Sequence, residues 1–266
     1  MPQPVSAPGR HDLVRRQSHE GVAVLTLSRA ERHNALVPEL LEQLRTEVAT
    51  VAADPGVRAV VLSADGPSFS TGGDVAAFAS REGTELETYA RRIVGVLHEA
   101  VLDLLALDVP LVVAVQGPVT GGSLGLVLAA DVVVAGPRAS FAPWYVRVGF
   151  SPDGGWTALL PRRVGHARAA TWQLTNRTVE VDLAAQWGLV DETADDPRAR
   201  ALEVARDLAR MVPGAVTRTK RLMRSDLDDV RRGLDAELEE FVAQIGTDEA
   251  RAGMQAFLGH RAQEQA

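Results

Sequence analysis

The sequence predicts an α/β protein whose last third is helical. Short β-branched runs alternate with segments of helical periodicity as far as Ala142, and beyond Trp156 only helical patterns follow. Two of the strand-like runs also lead into glycine-rich turns that open onto helical segments. These are Phe69-Ser70-Thr71-Gly72-Gly73-Asp74-Val75 and Gly117-Pro118-Val119-Thr120-Gly121-Gly122-Ser123-Leu124-Gly125.

Taken in order, Leu13–Arg16 and Val22–Leu27 predict a strand pair with its turn at His19-Glu20-Gly21. Arg29–Leu36 reads as a loop. Pro38 fits the first turn of a helix in which Leu40, Leu41, Leu44, Val48 and Val51 share a face as far as Asp54-Pro55-Gly56. Arg58–Ser63 is the strand that delivers the first glycine turn. Glu85–Leu107 is a long amphipathic helix, with Leu86, Ile93, Leu97, Val101 and Leu104 inward, stopped by Asp108-Val109-Pro110. Leu111–Val115 is a buried strand entering the second turn. Asp131–Ala135 and Ser140–Ala142 are further strands, and Pro143–Gly155 is a loop. Helices are predicted over Thr157–Arg163, Ala167–Leu174, Asp182–Trp187, Pro197–Met211, Pro213–Arg224, Leu227–Gln244 and Asp248–Leu258.

The 266 residues, 46% hydrophobic, suffice for a substantial core and exclude wholesale disorder. A formal charge of −7 without a long Lys/Arg block argues against a nucleic-acid partner. The chain has no cysteine, hence no disulfide framework, thiolate metal site or cysteine nucleophile. Residues 1–11, rich in proline, are expected to form a disordered tail. No stretch shows a signal-peptide pattern or the length of a membrane span, so the expectation is a soluble cytoplasmic protein.

A glycine pair at a helix entrance lets a ligand approach the backbone, where the first N–H groups have no partners of their own. Such a turn suits a developing negative charge. Two of them suggest a two-pronged oxyanion site.

Arg29–Leu36 with its Asn-Ala-Leu ending, Phe69–Val75, Pro110–Gly125, Phe141–Gly155 and Thr178–Val190 together resemble the successive motifs of the crotonase (enoyl-CoA hydratase/isomerase) superfamily. The resemblance runs from Leu13 to Arg261. It implies a spiral of repeated β-β-α turns over residues 12–195 and a C-terminal helical region over 196–266 that helps build a homotrimer or a dimer of trimers. It implies an acyl-CoA thioester substrate, with coenzyme A as part of that substrate and no tightly bound cofactor. The oxyanion hole would use the N–H groups of Gly73 and Gly122. CoA would lie against Arg32 and Ala35 and along Ser70, Gly72, Gly73, Asp74 and Val75. Phe257 and His260 match residues that reach the CoA of a neighbouring subunit in relatives.

Hydratases of this family use two glutamates, and those positions here hold Gly125 and Tyr145. Glycine carries no proton, and a tyrosine with an ordinary pKa of about 10 is a poor base near neutrality. Asp153 matches the position from which the family's enoyl-CoA isomerases place a single carboxylate over the acyl chain. One carboxylate suffices to carry a proton from C2 to C4 of a 3-enoyl-CoA. The same Pro-Asp-Gly composition also suits a plain turn.

His98, at its distance from Gly122 and combined with Asp153, also resembles the 4-chlorobenzoyl-CoA dehalogenases of the superfamily. In those an aspartate attacks the aromatic ring and a histidine assists hydrolysis. Tyr145 and Gly73 depart from that pattern, which has tryptophan and phenylalanine there. The competing reading of His98 is a buried structural histidine, and of Tyr145 a pocket wall. Gly121–Gly125 further satisfies G-x-S-x-G, which would make Ser123 a serine-hydrolase nucleophile. Five residues, Gln116–Thr120, separate that motif from its strand and speak against an elbow. Loss of both glutamates would also suit a non-catalytic acyl-CoA-binding relative. Asp153 beside two donor turns favours an enoyl-CoA isomerase.

Overall fold

The chain enters its fold as an antiparallel hairpin, β1 (Val14–His19) and β2 (Val22–Leu27), turning at Glu20 and Gly21, which both take positive φ. The computed structural model describes residues 12–264, so the expected tail over 1–11 lies outside the described residues. α1 (Pro38–Ala53) carries the chain across to β3 (Ala59–Ala64), which pairs parallel with β2. α2 (Val75–Ala79) and α3 (Gly83–Ala106) lead to β4 (Leu111–Val115), and β5 (Val119–Thr120) and α4 (Leu124–Leu128) lead to β6 (Val132–Ala135). β7 (Ser140–Ala142), α5 (Tyr145–Val148), α6 (Leu160–Val164), α7 (His166–Thr175), β8 (Val179–Glu180), α8 (Val181–Gln186) and β9 (Glu192–Thr193) follow. Four helices end the described chain: α9 (Pro197–Arg210), α10 (Pro213–Met223), α11 (Leu227–Ile245) and α12 (Asp248–Glu264).

The strands form a six-stranded sheet in the order β1-β2-β3-β4-β6-β9, parallel except for the first pair, and a three-stranded sheet β5-β7-β8. Successive residues of a strand point to opposite faces, and both faces of the large sheet are covered. Leu25, Val60, Leu62 and Val113 join the main core with α1 and α3. Val22, Ala59, Val61, Val112, Ala114 and Val134 meet Ala201 and Ala205 of α9. With Val230, Leu234, Phe241 and Ile245 of α11 and Met254 of α12 in the main core, these three helices pack on the core of their own chain.

Several predicted boundaries shift for local reasons. The expected loop over 143–155 contains α5, entered through Trp144 at φ 64 and left through Gly149 at φ 86. The helix expected from Thr157 begins at Leu160, and ahead of it the N–H groups of Gly155, Thr157 and Ala158 are given to Glu237 of α11. β5, β8 and β9 are two residues each, too short for a period to register.

Asn34 explains the Asn-Ala-Leu motif. It is fully buried at φ 51, and its side chain accepts from the Arg29 N–H at 2.9 Å and donates to the carbonyls of Asp65 and Ser68 at 2.8 and 3.0 Å. Its own carbonyl accepts from the Ser70 hydroxyl at 2.7 Å. One side chain thus ties the loop after β2 to the first glycine turn. Asn34→Ala takes the side-chain partner from the Arg29 N–H and the Asp65 carbonyl, leaves the Ser68 carbonyl to Gln116 alone and puts alanine in the left-handed region, an expected loss of about 2–4 kcal/mol of stability, measured by urea unfolding.

Candidate active site

A cavity of about 390 Å³ lies between the two glycine turns and the Tyr145–Asp153 segment. Its wall is largely apolar, with Phe78 of α2, Val94 and Leu97 of α3, Phe150, Phe241 of α11 and Phe257 of α12. Gly73, Gly122, Tyr145 and Asp153, all assigned to catalysis from the sequence, line it together.

Each donor peptide is fixed through the carbonyl that precedes it. The Gly72 carbonyl accepts from the Leu36 N–H at 2.7 Å, and the Gly121 carbonyl accepts from the Trp156 indole N–H at 2.8 Å. In a planar trans peptide the N–H points opposite to the carbonyl. Pinning those two carbonyls therefore turns the N–H groups of Gly73 and Gly122 the other way, and among the described residues neither has an acceptor. Gly122 also lies in a short 3-10 turn, Gly121–Ser123, whose first N–H groups have no intrahelical partner. A single bridge, Ser70–Val119, holds the two turns side by side, and a second, Leu36–Gly73, holds the first turn to the loop after β2. Gly72, at φ +75, brings its backbone so close to Thr120 that a Cβ would lie 2.7 Å from the Thr120 carbonyl oxygen.

Asp153 is the acid of the cavity. The Tyr145 hydroxyl donates to its Oδ1 at 2.5 Å and to its carbonyl at 3.1 Å, while Oδ2 accepts from no described residue. Burial pushes the Asp153 carboxyl up to about 7 against the pull of the Tyr145 hydrogen bond, and the charge of Glu237 pushes the same way. Burial and the neighbouring Asp153 hold Tyr145 well above its ordinary value, so the phenol stays a donor.

The turn after Asp153 lies directly on the second donor turn. A Cβ on Gly154, itself at φ +64, would sit 2.5 Å from the Gly122 carbonyl oxygen. A Cβ on Gly125 would collide with the Gly154 carbonyl and come within 3.0 Å of Val101 Cγ2. The position of the first hydratase glutamate is therefore filled by the backbone that carries Asp153.

His98 stands behind this turn and does not line the cavity, which corrects its assignment to the reacting centre. Its Nε2 accepts from the Gly154 N–H at 3.1 Å, and burial pushes its pKa down to about 4, so it is neutral. Ser123 is no nucleophile: its buried hydroxyl faces the carbonyls of Thr120 at 2.7 Å and Ser70 at 2.9 Å. The serine-hydrolase alternative falls with it.

Among the expected CoA contacts, Gly72, Gly73 and Val75 line the cavity, as does Phe257, which packs edge-to-face on Trp144 of its own chain at 5.6 Å. Ser70 is instead a buried tie to Asn34, and the Ala35 carbonyl accepts from Arg29 at 2.8 Å. Asp74 pairs with Arg32 at 3.1 Å and Arg29 at 3.6 Å. The side chain of His260 lies outside the described residues. Two contributors were missed in the sequence. Glu237 betrays itself as an acid on the otherwise apolar stripe Val230, Leu234, Phe241 and Ile245 of α11. Trp156 carries no such signal.

Gly125→Glu is expected to lower stability by more than about 2 kcal/mol through overpacking and to confer no hydration of 2-enoyl-CoA. Thermal unfolding and a hydration assay check both halves.

The profile of the enoyl-CoA hydratase/isomerase family matches residues 17–265. A 4-chlorobenzoyl coenzyme A dehalogenase of an Arthrobacter species is 32% identical over 233 residues, 85% of this chain and 83% of that protein. A probable enoyl-CoA hydratase, EchA14 of Mycobacterium tuberculosis, is 33% identical over 224 residues, 84% of this chain and 85% of that one. The crystal structure of an enoyl-CoA hydratase/isomerase from Mycobacterium paratuberculosis superposes with a TM-score of 0.85 at 26% identity, covering 92% of this chain and 98% of that one. Two backbone donors on glycine turns, a fold of this order and a match over nearly the whole chain agree: the chain belongs to the enoyl-CoA hydratase/isomerase, or crotonase, family of enzymes that process acyl-CoA.

Proposed function

We propose that the protein isomerises 3-enoyl-CoA to 2-enoyl-CoA. The observation that carries this is Asp153, the one carboxylate among the described residues that line the cavity, which shares it with the unpartnered N–H groups of Gly73 and Gly122, while Gly125 and Tyr145 stand at the two hydratase positions. In its ionised form Asp153 takes the C2 proton. The electron pair moves through C2 onto the thioester oxygen, where the Gly73 and Gly122 N–H groups hold the dienolate. The protonated Asp153 then returns the proton to C4, leaving the double bond between C2 and C3 and the carboxylate restored. Preorganised donors of this kind contribute about 3–4 kcal/mol each to the barrier in comparable sites.

The CoA portion enters past the Gly72–Val75 turn, with Arg32 at the exposed rim. A homotrimer or dimer of trimers is proposed on the exposed apolar side chains Leu174, Val212, Leu222 and Met223, to be measured by light scattering in solution.

A second reading, dehalogenation of a halobenzoyl-CoA, is favoured by the Arthrobacter relatives and by the free Oδ2 of Asp153 as an attacking oxygen. The neutral His98 behind Gly154 weakens it, since no base from that helix reaches the cavity.

Assays with 3-enoyl-CoA, 2-enoyl-CoA and 4-halobenzoyl-CoA decide between them. Isomerisation should fall about 10²–10⁴-fold in Asp153→Asn, and parental rates in that variant would overturn the assignment. Tight CoA binding without turnover of any thioester would indicate a non-catalytic relative.

The pH dependence follows from the raised carboxyl. The base form is required, so kcat/KM rises with pH through a midpoint near 7. Stability runs the other way: the contribution of Asp153 is full below its ordinary 3.8 and is lost as pH rises through about 7. Tyr145→Phe removes the hydrogen bond that lowers the carboxyl and should raise the kcat/KM midpoint by about one pH unit.

A further inference from the structure

The geometry points to Glu237 as a positioning residue for the reaction, a carboxylate on α11 that gathers the turn beginning at Asp153 and fixes where that acid meets the second donor peptide. Its Oε1 accepts from the Thr157 N–H at 2.7 Å, the Thr157 hydroxyl at 2.6 Å and the Ala158 N–H at 2.9 Å, and its Oε2 accepts from the Gly155 N–H at 2.7 Å. With His98 taking the Gly154 N–H, four of the five N–H groups that follow Asp153 are held by two buried side chains from distant helices. The fifth, of Trp156, closes back on the Asp153 carbonyl at 3.5 Å. That turn lies on the Gly122 backbone, so a shift in it moves Asp153 relative to the oxyanion donor. It also carries the Trp156 indole that orients the Gly121–Gly122 peptide.

Glu237 acts on Asp153 by charge as well. Burial pushes its pKa up, and the four converging donors from Thr157, Gly155 and Ala158 pull it back toward the carboxylate. Around Asp153 stand Tyr145 from α5, bonded to its carboxylate, His98 from α3, bonded to the next N–H, and Glu237 from α11, bonded to the N–H of Gly155. Tyr145 and His98 are neutral. Among the described residues Glu237 therefore supplies the charge that favours a protonated Asp153. An acid poised near neutrality can both accept and return a proton, which a fully ionised surface aspartate does poorly.

This inference rests on Asp153 as the proton carrier, and the test reads Asp153 without turnover. The Asp153 carboxyl is titrated by ¹³C NMR in the full chain labelled on aspartate, with Asp153→Asn identifying the resonance; kcat/KM on 3-enoyl-CoA is followed alongside. Glu237→Gln is expected to lower the Asp153 midpoint by about half a pH unit or more and to carry the kcat/KM limb with it. A folded Glu237→Gln protein with the parental midpoint overturns the proposal. If that variant does not fold, Glu237→Asp decides: it keeps the charge but reaches less far. Faster amide exchange at Gly155, Thr157 and Ala158 with lowered kcat at unchanged KM is then expected, and parental exchange and kcat overturn the proposal. Failure of the isomerase reading looks different, as absence of 3-enoyl-CoA turnover in the parent while the NMR midpoint still responds to Glu237→Gln.

Discussion

Peptide planarity is the constraint on which the site depends. A backbone N–H cannot be aimed by itself; it can only be aimed by holding the carbonyl on the other side of its peptide. Here Leu36 holds one such carbonyl and the Trp156 indole holds the other. Much of the surrounding structure keeps those two anchors still. Asn34 and the Ser70 hydroxyl lock the loop before Leu36 to the first glycine turn, the Ser123 hydroxyl ties that turn to the second, and Trp156 is wedged between Tyr145 and Trp172.

The same economy explains the missing glutamates. A side chain at position 125 needs the room that the Asp153–Gly155 turn occupies, and the close glycine-to-glycine packing of Gly122 with Gly154 brings the carboxylate in from the opposite wall. Tyr145 does not replace a proton carrier. It binds one oxygen of Asp153, and the other accepts from no described residue. A buried acid with one hydrogen bond is expensive to ionise, and that cost is what keeps its proton exchangeable near neutrality.

Much of this was legible in the sequence because it is written in local chemistry. Strands such as Val22–Leu27 and Leu111–Val115 are marked by unbroken β-branched runs, α1 and α3 by their apolar stripes, and the donor turns by glycine pairs. The site residues that were missed act across long separations. Glu237 reaches a turn 80 residues upstream, and no short-range pattern records such a contact. His98 and Ser123 were ambiguous for a related reason: a polar side chain's role depends on which group faces it, and that is fixed by packing. Ser123 faces two carbonyls and His98 faces a backbone N–H, so neither faces substrate.

Trp187, Trp172 and Trp156 contact one another edge to face, with centroids 5.4 and 5.0 Å apart, and the series ends on the carbonyl of Gly121. Trp144, the first of the chain's four tryptophans, lines the cavity itself. At these separations excitation energy passes readily between indoles, and the emission of an indole responds to what its N–H is bonded to. The molecule therefore carries an intrinsic optical reporter, wired from its half-buried flank to the peptide proposed to polarise the thioester, through which occupancy of the site can be watched without any label.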